Sequence, residues 1–266
     1  MLSYDDGMPR YKLTIAYDGS SFHGWQKQEP PDSEPLRTAQ GVLEVVVRDV
    51  VREEIRLVGA SRTDSGVHAQ GQVAAFTSEQ DLEPERLAAA INSRLPDDLQ
   101  VRGAEYTSNT FSPISDCVAK GYRYRLAHSR RQGILRPLFD RHYTAWTAYV
   151  LDWNRMNEAA VHIVGEHDFC SFTRLNHGRD STVRTVNSCS VTEPEENLVV
   201  LEISGNGFLY NMIRIIAGTL LEVGRGKIEP DEILEILAAK DRARAGHTMS
   251  PEGLCLSWVC YGDSPA

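Results

Sequence analysis

The stretch IRLVGASRTDSGVHAQGQVAAF runs from Ile55 to Phe76. Two apolar runs of strand length, IRLVGA and GQVAAF, flank a polar loop that turns at Gly66. Upstream, TAQGVLEVVVRDVV places Ala39, Val42, Leu43, Val46 and Val50 on one helical face, with Thr38 as N-cap. Before it, YKLTIAY alternates Leu13, Ile15 and Tyr17 as a strand does. Downstream, EPERLAAAINSRL predicts a helix with Pro84 near its first position, and LQVRGAEY a closing strand. The order is β-α-β-β-α-β.

The second half repeats that order. GYRYRLA is a predicted strand. WNRMNEAAVHIV is a helix with Met156, Ala159, Ala160, Ile163 and Val164 clustered. VRTVNSCSVT and LVVLEIS are strands. FLYNMIRIIAGTLLEV is a helix stopped by Gly224, EILEILAAK is an added short helix, and LCLSWVCY is a last strand. Two β-α-β-β-α-β units make an α+β protein of ferredoxin-like halves, each an antiparallel sheet with helices on one face. The halves are expected at residues 1–115 and 116–266, joining their sheets around a central cleft. The proline-rich QEPPDSEP, residues 28–35, reads as a loop.

The 266 residues suit one large domain or two smaller ones, and 41% apolar with 24% charged residues fits a globular core. No apolar run reaches the roughly 18 residues of a membrane span, and the start, MLSYDDGMPRYK, lacks the basic-then-apolar pattern of a signal peptide. The five cysteines have no CxxC spacing, which predicts a reducing, cytoplasmic setting without structural zinc. The net charge of −9 argues weakly against nucleic acid. Binding needs only a local patch, however. From Lys120 to Arg141 the chain carries Lys120, Arg123, Arg125, Arg130, Arg131, Arg136 and Arg141 against the single acid Asp140. A second basic stretch, RLNHGRDSTVR, runs from Arg174 to Arg184. In KGYRYRL the basic residues interleave with aromatics, a combination suited to RNA, although a basic run on charge alone is most often a solvated face.

Two side chains invite a chemical reading. Asp64, between Arg62 and Gly66, is either a turn-capping aspartate or a carboxylate nucleophile or base. In the second case it has to stay ionised in a partly dry cleft, which calls for a nearby cation. Arg214 sits among Met212, Ile213, Ile215 and Ile216. It either snorkels from the helix flank or pairs with a carboxylate, because an unpaired buried charge is costly.

YDGSSFHGWQKQ (Tyr17 to Gln28), the Asp64 stretch, KGYRYRL, HDFCSF (His167 to Phe172), NGFLYNMIRIIAGTLLEVGRG and EGLCL follow one another in that order. Together they resemble the TruA family of tRNA pseudouridine synthases, from about residue 10 to residue 261. The resemblance implies a cofactor-free homodimer of two-domain subunits that isomerises uridine to pseudouridine at positions 38 to 40 of the tRNA anticodon stem-loop. It also implies roles: Asp64 as the catalytic carboxylate, Tyr122 against the target base, Arg214 as the partner of the aspartate, Leu254 in the pocket, and Arg62 in the place of the flipped base. Arg123 and Arg125 are expected on the RNA. His68 is expected to fix the loop or touch RNA, and Trp25 and Gln26 to support the loop bearing Asp64.

Pseudouridylation breaks the N1–C1′ bond, turns the uracil and joins C5 to C1′. No redox or hydrolytic step is involved, and the base has to leave the stack first. Asp64 attacks C1′ or C6, or removes the C2′ proton; the residues do not choose between these routes. Two departures from the family pattern stand out. Ser61 replaces a frequent glycine, and FSPI (Phe111 to Ile114) puts Ile114 where an RNA-holding arginine is common. TMSPEGL (Thr248 to Leu254) also differs from the usual stretch. The competing readings are an idle RNA-binding module of the same build and a two-carboxylate nucleosidase, which lacks a second placed acid.

Overall fold

The structure is a computed structural model that describes residues 7–28, 34–129, 136–174 and 181–262. The chain divides into two compact units, Met1–Val118 with Leu256–Ala266, and Ala119–Cys255. The fold is α+β.

The first unit runs β1 (Arg10–Tyr17), α1 (Ala39–Val51), β2 (Val58–Gly59), β3 (His68–Thr77), α2 (Pro84–Asn92) and β4 (Leu99–Thr107). This is the β-α-β-β-α-β order read from the sequence. β1 lies between β4 and β3, antiparallel to both. Its alternation buries Tyr11, Leu13, Ile15 and Tyr17, the period-2 pattern of a strand with one face on the core. The Tyr11 ring stacks on Phe76, its partner in register on β3, with centroids 5.3 Å apart. Thr38 caps α1 by accepting from the Gly41 N–H, and Pro84 opens α2.

Two expectations need correction here. The buried face of α1 is Ala39, Leu43, Val47 and Val51 together with Gln40 and Glu44, while Val42, Val46 and Val50 are half-buried. The rotation follows from polar partners that a hydrophobic count overlooks. Gln40 Nε2 donates to the Leu57 carbonyl at 2.8 Å, and its Oε1 accepts from the Lys27 N–H at 2.9 Å. Glu44 accepts from the Leu57 N–H and meets Lys27 Nζ at 3.2 Å and Arg48 at 3.1 Å. Buried polar groups are tolerated when satisfied in this way. The second correction is that the strand expected over IRLVGA shrinks to Val58–Gly59. Beyond it, the Gln72 side chain replaces the ladder. Its Oε1 accepts from the Ser61 N–H at 3.1 Å and its Nε2 donates to the Ser61 carbonyl at 2.6 Å.

The second unit contains most of β5 (Cys117–His128), then β6 (Ala145–Thr147), α3 (Trp153–Val161), β7 (Gly165–Asp168), β8 (Val183–Glu195), β9 (Leu198–Gly205), α4 (Met212–Gly224) and α5 (Glu232–Ala239). β10 (Leu254–Tyr261) starts here, and its residues from Leu256 onward group with the first unit. The sheet runs β5-β9-β8-β7, with β6 parallel to β5. β6 and β7 add to the predicted order. Val164 is exposed, whereas Met156, Ala159, Ala160 and Ile163 are buried as expected. α4 starts at Met212 rather than Phe208, because Asn211 takes the left-handed conformation at φ 60° and interrupts the helix. The positive φ at its far end belongs to Gly226, not Gly224. Gly224 serves packing, since a Cβ there would lie 2.8 Å from Met156.

Candidate active site

Asp64 sits in the turn between β2 and β3, half-buried, with Arg62 exposed beside it. Backbone bonds fasten this turn to the Phe22–Trp25 segment. Trp25 N–H donates to the Thr63 carbonyl at 3.1 Å, and Gly66 N–H to the Phe22 carbonyl at 3.2 Å. Within the turn, Val67 N–H donates to the Asp64 carbonyl at 3.1 Å. The Tyr17 hydroxyl meets Thr63 Oγ1 at 2.7 Å in a buried pair. Such spacing requires glycines. Gly24 has φ 88°, and a Cβ there would stand 2.6 Å from the Thr63 carbonyl oxygen. At Gly59 a Cβ would meet the Trp25 indole at 2.2 Å. The expected support of the Asp64 loop by Trp25 thus rests on its N–H and on its ring lying against bare backbone. Gln26 acts at one remove, donating to Gln40 Oε1 at 2.8 Å.

His68 is 5% exposed; its Nδ1 accepts from the Gly19 N–H at 3.0 Å and lies 3.2 Å from the Asp18 carboxylate. Its geometry is that of a loop-fixing residue. Gly19 approaches just as closely, with a Cβ there falling 2.1 Å from the Val67 carbonyl oxygen. The Phe22 side of the clamp is held from outside. The Arg37 guanidinium lies 4.1 Å over the Phe22 ring and bridges both Asp98 oxygens at 2.8 and 2.9 Å. That hydrogen-bonded carboxylate pushes the Arg37 pKa up.

Arg214 is in the first turn of α4. Its Nε donates to the Met249 carbonyl at 2.7 Å and its Nη1 to Asn211 Oδ1 at 2.8 Å. The Met249 N–H returns a bond to the Arg214 carbonyl at 3.1 Å. The segment before Met249 lies directly on α4. A Cβ on Gly218 would be 1.9 Å from the His247 carbonyl oxygen, and Gly246 N–H donates to Thr219 Oγ1 at 2.9 Å. Tyr124 joins the same segment to β5, its hydroxyl donating to the Ser250 carbonyl at 2.8 Å. Burial pushes the Tyr124 pKa above its ordinary value.

Tyr122 is 7% exposed and meets the edge of Phe208 with centroids 5.4 Å apart. Leu254, the first residue of β10, is also buried. Gly253 before it lets the chain reach β5, where a Cβ would fall 2.5 Å from the Arg125 carbonyl oxygen. The aromatics of KGYRYRL do not offer their faces to solvent. Tyr122 and Tyr124 both turn inward, leaving Arg123 exposed and Arg125 half-buried. Arg123 meets Glu202 at 3.0 Å and Arg125 Nε donates to Thr144 Oγ1 at 3.3 Å. An exposed ion pair of this kind is worth only about 0–1 kcal/mol. Arg130 and Arg131, and residues 175–180 of the second basic stretch, lie outside the described residues.

Asp64, Arg62 and His68 therefore belong to the first unit, and Tyr122, Arg123, Arg125, Arg214 and Leu254 to the second. The sequence reading missed Gln72, Asn211 and Phe208. Asn211 carried one signal, a polar residue just ahead of an apolar helical run; Gln72 carried none, being one polar residue inside a strand.

The tRNA pseudouridine synthase family model matches residues 13–112 and 159–262. The chain belongs to that family, which is one of isomerases. It is 41% identical to tRNA pseudouridine synthase A of Acetivibrio thermocellus over 254 residues, 96% of this chain and 100% of that one. It is 40% identical to tRNA pseudouridine synthase A of Leuconostoc citreum over 263 residues, 97% of this chain and 100% of that one. Among solved structures, the archaeal box H/ACA sRNP Nop10-Cbf5 complex matches with a TM-score of 0.35 and 11% identity, covering 89% of this chain and 47% of that one. That likeness is too slight to inform the chemistry.

Proposed function

We propose that this enzyme converts uridine to pseudouridine at positions 38 to 40 of the tRNA anticodon stem-loop, with Asp64 as the catalytic carboxylate. It does so as a cytoplasmic homodimer. The observation that carries the reading is the Asp64 turn itself. Family membership brings the RTD motif, and three glycines fasten the motif to its neighbours with no room for a side chain.

In this reading Asp64 and Arg214 pair across the two halves of the chain. Asp64 has to remain ionised where water is partly excluded, and Arg214 supplies the compensating charge. The target nucleotide leaves the stack, Arg62 fills the gap, and the uracil lies against Tyr122 in a pocket that includes Leu254. The N1–C1′ bond breaks and the C5–C1′ bond forms; C5 loses its proton and N1 gains one. Attack at C1′ or C6 and abstraction of the C2′ proton are both open to a carboxylate. Tyr122 assists proton traffic at C5 through its hydroxyl, and Arg123 and Arg125 hold backbone phosphates.

The test is to incubate an unmodified tRNA transcript with the protein and map pseudouridine by position. New pseudouridine at 38 to 40 with the wild type, and none with Asp64→Asn despite retained tRNA binding, is the expected result. Turnover by Asp64→Asn near the wild-type rate would remove Asp64 from the mechanism, and modification elsewhere in the tRNA would relocate the target.

A further inference from the structure

Away from the Asp64 turn and the Arg214 helix, two arginines of the second unit lie on neighbouring turns. Arg174 follows the 3-10 turn Cys170–Phe172, and Arg242 opens the 3-10 turn Arg242–Arg244. The two turns are bonded to each other: Asp241 N–H donates to Ser171 Oγ at 2.9 Å, and Ser171 Oγ in turn donates to the Ile236 carbonyl at 2.6 Å. Arg174 is exposed and Arg242 half-buried. Among the described residues, the hydrogen bonds of Arg242 go to neutral oxygens, the Ala245 carbonyl and Thr248 Oγ1, each at 3.3 Å. The carboxylates nearby are occupied. Asp241 Oδ1 accepts from the Ala243 N–H, Asp168 pairs with Lys240 at 2.8 Å, and Glu235 faces Arg244 at 3.8 Å. Burial, and then the charge of Arg174, lower the Arg242 pKa. Two like charges on turns that are bonded to each other oppose one another, and an anion held by both would relieve them.

The place of the pair indicates which anion. Thr173, next to Arg174, donates to the Tyr210 carbonyl at 3.2 Å, and Tyr210 precedes the Asn211 that orients Arg214. Thr248, which holds Arg242, precedes the Met249 that binds Arg214 Nε. Arg242 is thus one residue removed from an anchor of Arg214, through Thr248, and Arg174 two, through Thr173 and Tyr210. We propose that Arg174 and Arg242 jointly bind one backbone phosphate of the RNA next to the nucleotide being isomerised. This rests on the functional reading above. A planar guanidinium suits a phosphate because it donates two parallel bonds.

The experiment uses the full-length protein and an unmodified tRNA transcript. Arg174→Ala, Arg242→Lys and the double variant Arg174→Ala/Arg242→Gln are compared with the wild type for KM, kcat, melting temperature and tRNA affinity over a salt series. KM is expected to rise several-fold in each single variant with kcat little changed. In the double variant the log–log salt slope should flatten by about 0.7–0.9, the loss of one phosphate contact. Arg242→Lys keeps the charge and loses the fork, so a raised KM there separates bidentate recognition from a general field effect. A double variant with wild-type KM and salt slope overturns the proposal. If the double variant melts early, Arg174→Ala, an exposed replacement, decides alone: unchanged KM and slope overturn it. Wild-type protein that neither binds nor modifies the tRNA defeats the functional reading instead, which keeps the two failures distinct.

Discussion

The Arg214 guanidinium donates from Nη1 to Oδ1 of Asn211 at 2.8 Å, and Asn211 is itself held at φ 60°. One residue therefore both interrupts the chain before α4 and orients the arginine three positions on. With Nε bound to the Met249 carbonyl, the guanidinium plane is set by two neutral acceptors. An orientation fixed in this way is available before any substrate arrives, which is the condition for electrostatic preorganisation.

Asn211→Gly keeps the left-handed backbone and removes the acceptor. It is expected to cost little stability and to lower kcat about tenfold or more by letting the guanidinium turn. Asn211→Ala loses the same acceptor and adds the roughly 1 kcal/mol strain of an alanine at positive φ. Melting temperature and single-turnover rate of the two variants separate the effects. Equal rates in wild type and Asn211→Gly would remove Asn211 from the positioning of Arg214.

Gly24→Ala should be severe. The φ of 88° and the 2.6 Å approach to the Thr63 carbonyl oxygen leave no place for a methyl group. The conformational part alone costs about 1–2 kcal/mol, and relieving the overlap has to move Thr63 and hence Asp64. Activity is expected to fall further than stability does. The ratio of the loss in kcat to the shift in unfolding midpoint measures this.

Gln72→Leu fills nearly the same volume without an amide. It removes both Gln72 bonds to Ser61, to its N–H at 3.1 Å and its carbonyl at 2.6 Å. Each unsatisfied buried group costs about 1–3 kcal/mol. The variant should melt markedly earlier and exchange the Ser61 amide faster. Wild-type stability would show that the strand ladder can re-form in place of the side chain.

Cys189 provides a pH test. Burial pushes its thiol up to about 12, from an ordinary 9.0. Its contribution to stability is whole below pH 9 and is lost as pH rises from 9 toward 12, because the unfolded thiol ionises first. Tyr124 and Tyr261, both raised by burial, act in the same direction at higher pH. The unfolding midpoint should fall steadily above pH 9. At pH 8 the half-buried Cys117, Cys170, Cys255 and Cys260 should be alkylated in the folded protein, and Cys189 only on unfolding.

The sequence by itself determined the α+β class, the element order of the first half and the family. Local periodicity sets where strands and helices form: Leu13, Ile15 and Tyr17 alternate inward in the structure as they do on paper, and Thr38 and Pro84 mark helix starts by their own backbone chemistry. The motif order from Tyr17 to Leu254 named the chemistry before any geometry was known. Only the tertiary structure decided which face of α1 is buried, since Gln40 and Glu44 are acceptable inside only because Lys27 and Leu57 come to meet them. It also turned Tyr122 and Tyr124 inward, cut the second strand to two residues in favour of Gln72, and made Asn211 the orienter of Arg214. The physical reason is common to all four. A polar side chain's place depends on the partners that meet it, whether distant in sequence as for Gln40 and Gln72 or three positions on as for Asn211, and a hydrophobic pattern contains no record of them.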